Sequence, residues 1–347
     1  MTDRDTDRKN LKQFIENNKN MLFSEIEDEI ENDNITDIEW DGNHLWITEL
    51  NKGCYMSEKK LSNDYIDNMT MRLSDIMHTH CNRSTPVLEA NTEDLRISIW
   101  DESRAGSKSV TIRKIPKTLR YGHMELVDSS FAPDCIINLL ENSTIAHMNS
   151  VLGGQPHAGK TELLKYLTQF IPAYEKAGVY EDNSEIHYKI INPDKKCSEF
   201  FVDDKYTYSD AIRYGLRHNV DWVLLSESRG REIIDLVNAL STGCFCMTTM
   251  HLDYVPDIPD RMYGMLGTSS VSDRFINNIY KYIDIGVLIE CDKHEHRRLT
   301  QVGFFTREND KNKCTMIFED GELTGNDIPD QIIDRFEKYG IDDPFES

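Results

Sequence analysis

Eight consecutive residues, Gly154-Gln155-Pro156-His157-Ala158-Gly159-Lys160-Thr161, fit the pattern Gly-x-x-x-x-Gly-Lys-Thr. Such a loop turns successive backbone N–H groups toward one point, which suits an oxyanion, and its glycines permit the backbone path. Lys160 would bring a cation to the β- and γ-phosphates of a nucleoside triphosphate. The Thr161 hydroxyl would take Mg2+. Glu162 completes the run beside the ligand. Pro156 and His157 make this loop stiffer and bulkier than most.

A phosphate loop hydrolyses nothing by itself. A carboxylate must hold the cation or polarise the attacking water. Trp222-Val-Leu-Leu-Ser-Glu227 is an apolar run ending in an acid, 67 residues after Lys160. Read as a buried parallel strand, it delivers Glu227 at its carboxyl end, where ligands bind in such sheets. Arg229 follows two residues later. Cys244 to His251 reads as another buried strand with His251 at its end, a candidate sensor of the γ-phosphate.

These groups need elements to hold them. Met148 to Leu152 can be the strand before the loop. Thr161-Glu-Leu-Leu-Lys-Tyr-Leu opens a helix whose N-terminus faces the anion. Ile233, Ile234, Leu236, Val237 and Leu240 mark a further helix, stopped at Thr242-Gly243. From about residue 131, strands alternate with helices, which predicts a parallel sheet covered on both faces. Residues 131–320 are therefore read as the nucleotide-binding domain.

Residues 35–118 read as a smaller α+β domain. Ile35 to Thr48 alternates around the turn signal Asp41-Gly42, a hairpin pattern. Leu61, Tyr65, Met69, Leu73, Ile76 and Met77 mark an amphipathic helix. Leu95–Trp100 and Val110–Ile115 are two strands. Residues 119–130 read as a linker. Residues 1–34 form a helical extension on Leu11, Phe14, Ile15, Leu22, Ile26 and Ile30. Residues 321–347 are an acidic tail with one amphipathic turn at Ile332, Ile333 and Phe336.

Composition narrows the classes. The 347 residues hold 61 Asp plus Glu against 39 Lys plus Arg, a formal charge of -22. Bare nucleic acid is repelled over most of such a surface, so direct nucleic-acid binding is not the default. No run approaches the ~18 apolar residues that a membrane helix needs. Met1-Thr-Asp-Arg-Asp has no secretory-signal pattern. Eight cysteines without a Cys-x-x-Cys pair suit reduced thiols in a cytosol rather than a zinc site. His78 and His80 fall at i and i+2 of a helix end and do not share a face.

With these residues in view, the chain resembles the secretion and traffic ATPases of type II and type IV secretion systems, the VirB/Tad-type pilus and conjugation motors. Leu216-Arg217-His-Asn-Val-Asp-Trp-Val-Leu-Leu-Ser-Glu227-Ser-Arg229-Gly230 is similar, without gaps, to the family's Leu-Arg-x-x-Pro-Asp-x-hydrophobic-Gly-Glu-x-Arg-Gly segment. Thr248-Thr-Met-His251 resembles its His box, and the spacing from His251 to Arg261 matches too. Ile283-Asp-Ile-Gly-Val-Leu and Arg297-Arg-Leu-Thr-Gln-Val look like its two closing strands. Ile35-Thr-Asp-Ile-Glu-Trp-Asp-Gly, Leu95-Arg96-Ile and Thr111-Ile-Arg113-Lys resemble N-terminal strands of the family. The resemblance spans roughly residues 35–305.

It implies an α/β, RecA-like P-loop NTPase core with a smaller N-terminal α+β domain. It implies ATP and Mg2+ as ligands, and a hexameric ring acting from the cytoplasm at the inner face of the membrane. The implied partners are membrane-embedded secretion or pilus-assembly proteins. It also implies that Arg96 and Arg113 approach the nucleotide, with Arg217 and Arg261 in matching segments. Three positions depart from the pattern. Ser226 stands where the family has Gly, and Cys244 where it has His. Its acidic box, usually Ile-Glu-Asp, is matched nearest by Ile190-Ile-Asn-Pro-Asp194-Lys-Lys-Cys-Ser-Glu199, so Asp194 or Glu199 would supply the base. That altered box leaves a second reading, an assembly protein that binds nucleotide with little turnover; a third, a nucleic-acid-translocating ATPase, follows from ring ATPases often moving DNA.

Overall fold

The computed structural model describes residues 14, 21–92, 94–267 and 273–346. Leu11 and Ile15 of the expected N-terminal helix lie outside them. The chain divides into two compact units. One is Met1–Lys117 with Asp292–His296; the other is Thr118–Cys291 with Arg297–Ser347.

The first unit is a six-stranded antiparallel sheet. Its strands are β1 (Ile35–Trp40), β2 (Leu45–Glu49), β3 (Gly53–Met56), β4 (Val87–Asn91), β5 (Leu95–Trp100) and β6 (Ser109–Lys114), in the order β3-β2-β1-β6-β5-β4. Burial alternates along them: in β5, Leu95, Ile97 and Ile99 are buried, whereas Arg96 and Ser98 are half-buried. A period of two turns one apolar face inward. Helix α1 (Glu27–Glu31) buries Ile30, and α2 (Asn63–Ile76) buries Tyr65, Ile66, Met69 and Leu73. Ser62 caps α2, its hydroxyl accepting the Tyr65 N–H at 3.1 Å. A helical turn, α3 (Glu102–Ala105), joins β5 to β6.

The second unit is a three-layer sandwich. Helices α4 (His123–Asp128) and α5 (Asp134–Ile145) come before the first strand, β7 (Ser150–Gly154). Then follow α6 (Lys160–Leu167), β8 (Ala177–Glu181), α7 (Tyr188–Ile191), β9 (Cys197–Phe201), α8 (Tyr208–Arg217), β10 (Trp222–Leu225), α9 (Glu232–Ser241) and β11 (Phe245–Met250). Next come α10 (Ile258–Gly264), α11 (Asp273–Tyr282), β12 (Ile285–Cys291), β13 (Arg297–Glu308), β14 (Lys311–Glu319), β15 (Glu322–Leu323) and α12 (Asp330–Lys338). The sheet order is β15-β14-β13-β12-β7-β11-β10-β8-β9. β7 to β12 run parallel and β13 to β15 antiparallel.

β7, β8 and β10 are buried along their whole length. That follows from helices on both faces. Leu152, Val179, Leu224 and Met247 pack with α5, α6 and α12 on one side. Val151, Tyr180, Val223 and Cys246 pack with α8 to α11 on the other.

Two stretches differ from the sequence expectation. The expected linker, 119–130, contains α4, whose Leu126 is 5% exposed within the core. A six-residue helix is too short to display a period. The expected acidic tail contains α12, which buries Ile332 and Phe336. Its Arg335 reaches under the sheet: Nη1 pairs with Asp284 Oδ1 at 2.8 Å and Nε donates to Ala146 O at 3.0 Å. Asp284 Oδ2 accepts the Asn149 N–H at 2.7 Å, one residue before β7.

Candidate functional site

The phosphate loop leaves the carboxyl end of β7, and α6 begins at Lys160. Two glycines make the turn possible. Gly154 has φ 151, and a Cβ there would lie 2.4 Å from Ile289 O. Gly159 has φ 96. Lys160 is 9% exposed, and its Nζ donates to Gly154 O at 3.0 Å and Gln155 O at 2.9 Å. Burial holds its pKa below the usual value, against the pull of Glu227 and Glu185. The ammonium lies inside its own loop, where a phosphate would meet it. Gln155 donates to Asp253. Glu162 points back along the helix to the buried Lys165, 2.9 Å away.

Strand register brings the acids to this edge. Leu225 pairs with Tyr180 and with Thr248, so β8, β10 and β11 end together. Glu227 follows β10 and lies 3.1 Å from His251 Nε2. His251 Nδ1 lies 3.3 Å from Gly154 O. Arg229 pairs with Asp182 and reaches to 3.6 Å from Glu227. Thr161 Oγ1 donates to Glu185 Oε2 at 3.4 Å. The sequence candidates Lys160, Thr161, Glu227, Arg229 and His251 thus meet at one edge.

The structure does not bring Asp194 and Glu199 to this edge. Asp194 lies in the turn before β9, at the amino edge of the sheet, because Cys197 pairs with the first residue of β8. Glu199 is mid-strand and pairs with Lys189 Nζ at 2.9 Å. The acids at the site are Glu181, Asp182 and Glu185. Val179-Tyr-Glu181-Asp182 has the order hydrophobic, x, Glu, Asp, and lies 21 residues after Lys160. An apolar run ending in acids at that distance was the available signal. It is the same signal that singles out Glu227.

The outlying arginines divide. Arg217 ends α8, exposed, on the amino side of β10; Lys176 Nζ, just before β8, donates to His218 O at 2.9 Å. It is therefore at the edge opposite the loop, because a helix in such a crossover runs back across the sheet. Arg261 is exposed on α10, and its side chain makes no hydrogen bond or ion pair among the described residues. Arg96 and Arg113 belong to the first unit, opposite one another on β5 and β6. Arg113 Nε donates to the buried Asp37 at 2.8 Å. Conversely, Arg297 touches the loop: its Nε donates to His157 O at 3.0 Å.

Glu181 is 3% exposed, and its Oε1 accepts the N–H groups of Glu185 at 3.0 Å and Ile186 at 2.8 Å. Burial, exceeding those two hydrogen bonds, pushes its carboxyl up to about 8. The native state therefore binds this proton more tightly than the unfolded chain does. The stability the proton contributes is full below the ordinary Glu value of about 4.3. It is lost as pH rises toward 8. Glu181→Gln keeps the accepting oxygen and removes the titration. Thermal unfolding from pH 5 to 9 should show the variant gaining on the wild type as pH rises.

The family model described as "Type II/IV secretion system protein" matches residues 82–324. The chain belongs to that family. Among its relatives, an uncharacterised Bacillus anthracis protein is 25% identical over 261 residues, covering 74% of this chain. This chain spans 59% of that relative's length. The Legionella pneumophila ATPase DotB is similar in structure, with TM-score 0.58 and 18% identity over 80% of this chain and 78% of its own. The pilus retraction motor PilT with bound ADP has TM-score 0.57 and 15% identity, over 92% and 87%. These likenesses show the fold: a RecA-like core and an N-terminal α+β domain, as expected for a family member. Among the described residues, no helix of this secretion-family chain is long and apolar enough to cross a membrane.

Proposed function

We propose that the chain is an Mg2+-dependent ATPase that powers a type IV or type II secretion, pilus-assembly or conjugation machine. The observation that carries this is the convergence of four strand ends. β7 brings Lys160 and Thr161, β8 Glu181 and Asp182, β10 Glu227, and β11 His251. A cation, a hydroxyl and several carboxylates at one edge of a parallel sheet suit phosphoryl transfer to water.

In this reading the triphosphate lies in the loop from Gly154 to Thr161, with Lys160 on its β- and γ-oxygens. The Thr161 hydroxyl and the Glu185 carboxylate are hard oxygen donors within 3.4 Å of one another and would hold Mg2+. The ion would supply charge neutralisation at the phosphate oxygens. Glu227, with His251 beside it, takes a proton from water as the water oxygen bonds to the γ-phosphorus. The bond to the bridging oxygen breaks, and ADP and phosphate leave. His251 and Arg229 stabilise the charge that develops.

The altered acidic box was the reason to expect little turnover; Glu181 and Asp182 at the carboxyl end of β8 support turnover instead. The charge of -22 continues to disfavour nucleic acid as the cargo that the chain grips. The family supports work in a homo-oligomeric ring, on the cytoplasmic side, against a membrane-embedded assembly. Steady-state phosphate release tests the enzyme, with EDTA replacing Mg2+ in the blank. Release at the rate of the blank overturns it. Particle mass with and without ATP tests the ring, and a monomer in both conditions overturns that part.

A further inference from the structure

The proposed chemistry leaves one buried hydroxyl pair at the site unused. Tyr208 opens α8 and is 8% exposed. Its hydroxyl accepts the Asp182 N–H at 3.2 Å and lies 3.0 Å from Ser226 Oγ. Asp182 is the first residue beyond β8, and Ser226 immediately precedes Glu227. One phenol oxygen therefore joins the residue that carries one acid to the neighbour of the other.

The backbone gives little beyond this point. The β8–β10 ladder ends at Tyr180 and Leu225, with one more bond from Ser226 N to Tyr180 O at 3.2 Å. Arg229 also bridges Asp182 and Glu227, but its side chain is 52% exposed. An exposed arginine is a loose tie, because solvent screens it and its rotamers are many. The hydroxyl bond is buried and short-ranged, and a tyrosine has only two torsions to fix. Ser226 itself is anchored from β11, since the Thr249 hydroxyl donates to its carbonyl. Glycine at 226 would keep the backbone contacts and lose the tie to Tyr208.

We propose that Tyr208 and Ser226 are positioning residues for ATP hydrolysis, their hydroxyl contact holding Asp182 and Glu227 in register without touching the nucleotide. The inference rests on the hydrolysis reading above. Small displacements of reacting groups are costly, reaching about a hundredfold for 1 Å. Loss of one buried hydrogen bond should therefore cost roughly tenfold in kcat.

The test uses the full chain with Mg-ATP and measures kcat, KM and the affinity for a fluorescent ADP. Tyr208→Phe should lower kcat about tenfold, with KM and ADP affinity within roughly twofold of wild type. Ser226→Gly should lower kcat in the same direction but by less, because the Asp182 N–H keeps its acceptor, and the double variant should fall no further than Tyr208→Phe alone, which already removes the Ser226 contact. Ser226→Gly also decides the matter if Tyr208→Phe does not fold. An unchanged kcat in either variant, strictly multiplicative losses in the double, or a KM that moves with kcat would overturn the positioning role while leaving the ATPase reading intact. A wild-type chain with no Mg2+-dependent phosphate release would overturn both.

Discussion

Lys160→Ala is expected to reduce ATP turnover to background, a loss on the order of 10²–10³-fold or more. Lys160 is the buried cation of the loop, 9% exposed. Its two present acceptors, Gly154 O and Gln155 O, are carbonyls of the loop itself. A phosphate entering the loop replaces those neutral acceptors with charged oxygens, which makes the bonds roughly twice as strong. Alanine removes the cation and leaves Glu227 and Glu185, both of which act on Lys160 electrostatically, with one positive charge fewer to offset an anionic ligand. Nucleotide affinity should therefore fall with turnover, which calorimetric titration with Mg-ADP would register. The fold should persist, because the loop's shape depends on Gly154, Gly159 and the α6 backbone rather than on the ammonium. A variant that turns over ATP like the wild type would mean that the loop is not the reacting site.

The second large effect concerns stability. Arg335→Ala should cost about 3–5 kcal/mol, the usual penalty for leaving a buried charge without its partner. The guanidinium holds the Asp284 carboxylate at 2.8 Å and caps the carbonyls of Ala146 and His147. The pH dependence has a definite sign. Burial already raises Asp284 above its ordinary value, with Arg335 opposing it. Without Arg335 the raised value rises further, so the native state favours the protonated acid. The penalty should be largest above the two folded-state values, both raised over the ordinary Asp value of about 3.9, and should shrink as pH falls through them toward that value. Chemical denaturation at pH 7.5 and pH 4 compares the two. An equal penalty at both would mean that lost packing, not the unpaired charge, dominates.

How much of this the sequence disclosed depended on where each residue's constraint resides. The phosphate loop was legible because its chemistry fixes residue types at consecutive positions. Glu227 and His251 were legible because a fully buried strand reads as an apolar run, and the residue after it must stand at the sheet's edge. Glu181 and Asp182 obey the same rule and were missed. Their strand is interrupted by Gly178, which is there for a packing reason: a Cβ at 178 would lie 2.4 Å from the Tyr180 hydroxyl. That contact exists only after folding. The reading moved on to Asp194, which follows an apolar pair, Ile190-Ile191, but lies at the far edge. Arg217 failed differently. A motif gives order along the chain, and β10 separates Arg217 from Glu227 by the length of a strand. The role of α12 was hidden because its burial involves only Ile332 and Phe336, while its main anchor is a charged residue.

That anchor also bears on how the chain is made. A ribosome delivers residues in order, and Asn149 with the whole phosphate loop leaves the exit tunnel long before Arg335. Arg335 is bonded to Ala146 and His147, just before β7, across 189 and 188 residues. Until Arg335 arrives, the Asp284 carboxyl beneath β7 has no cation, and the nascent core must bury either an unpaired charge or a protonated acid. Synthesis thus makes the phosphate loop early and closes the floor under it late. A chain stalled between Tyr282 and Arg335 would expose an almost finished nucleotide site on an unfinished domain, a natural substrate for chaperones.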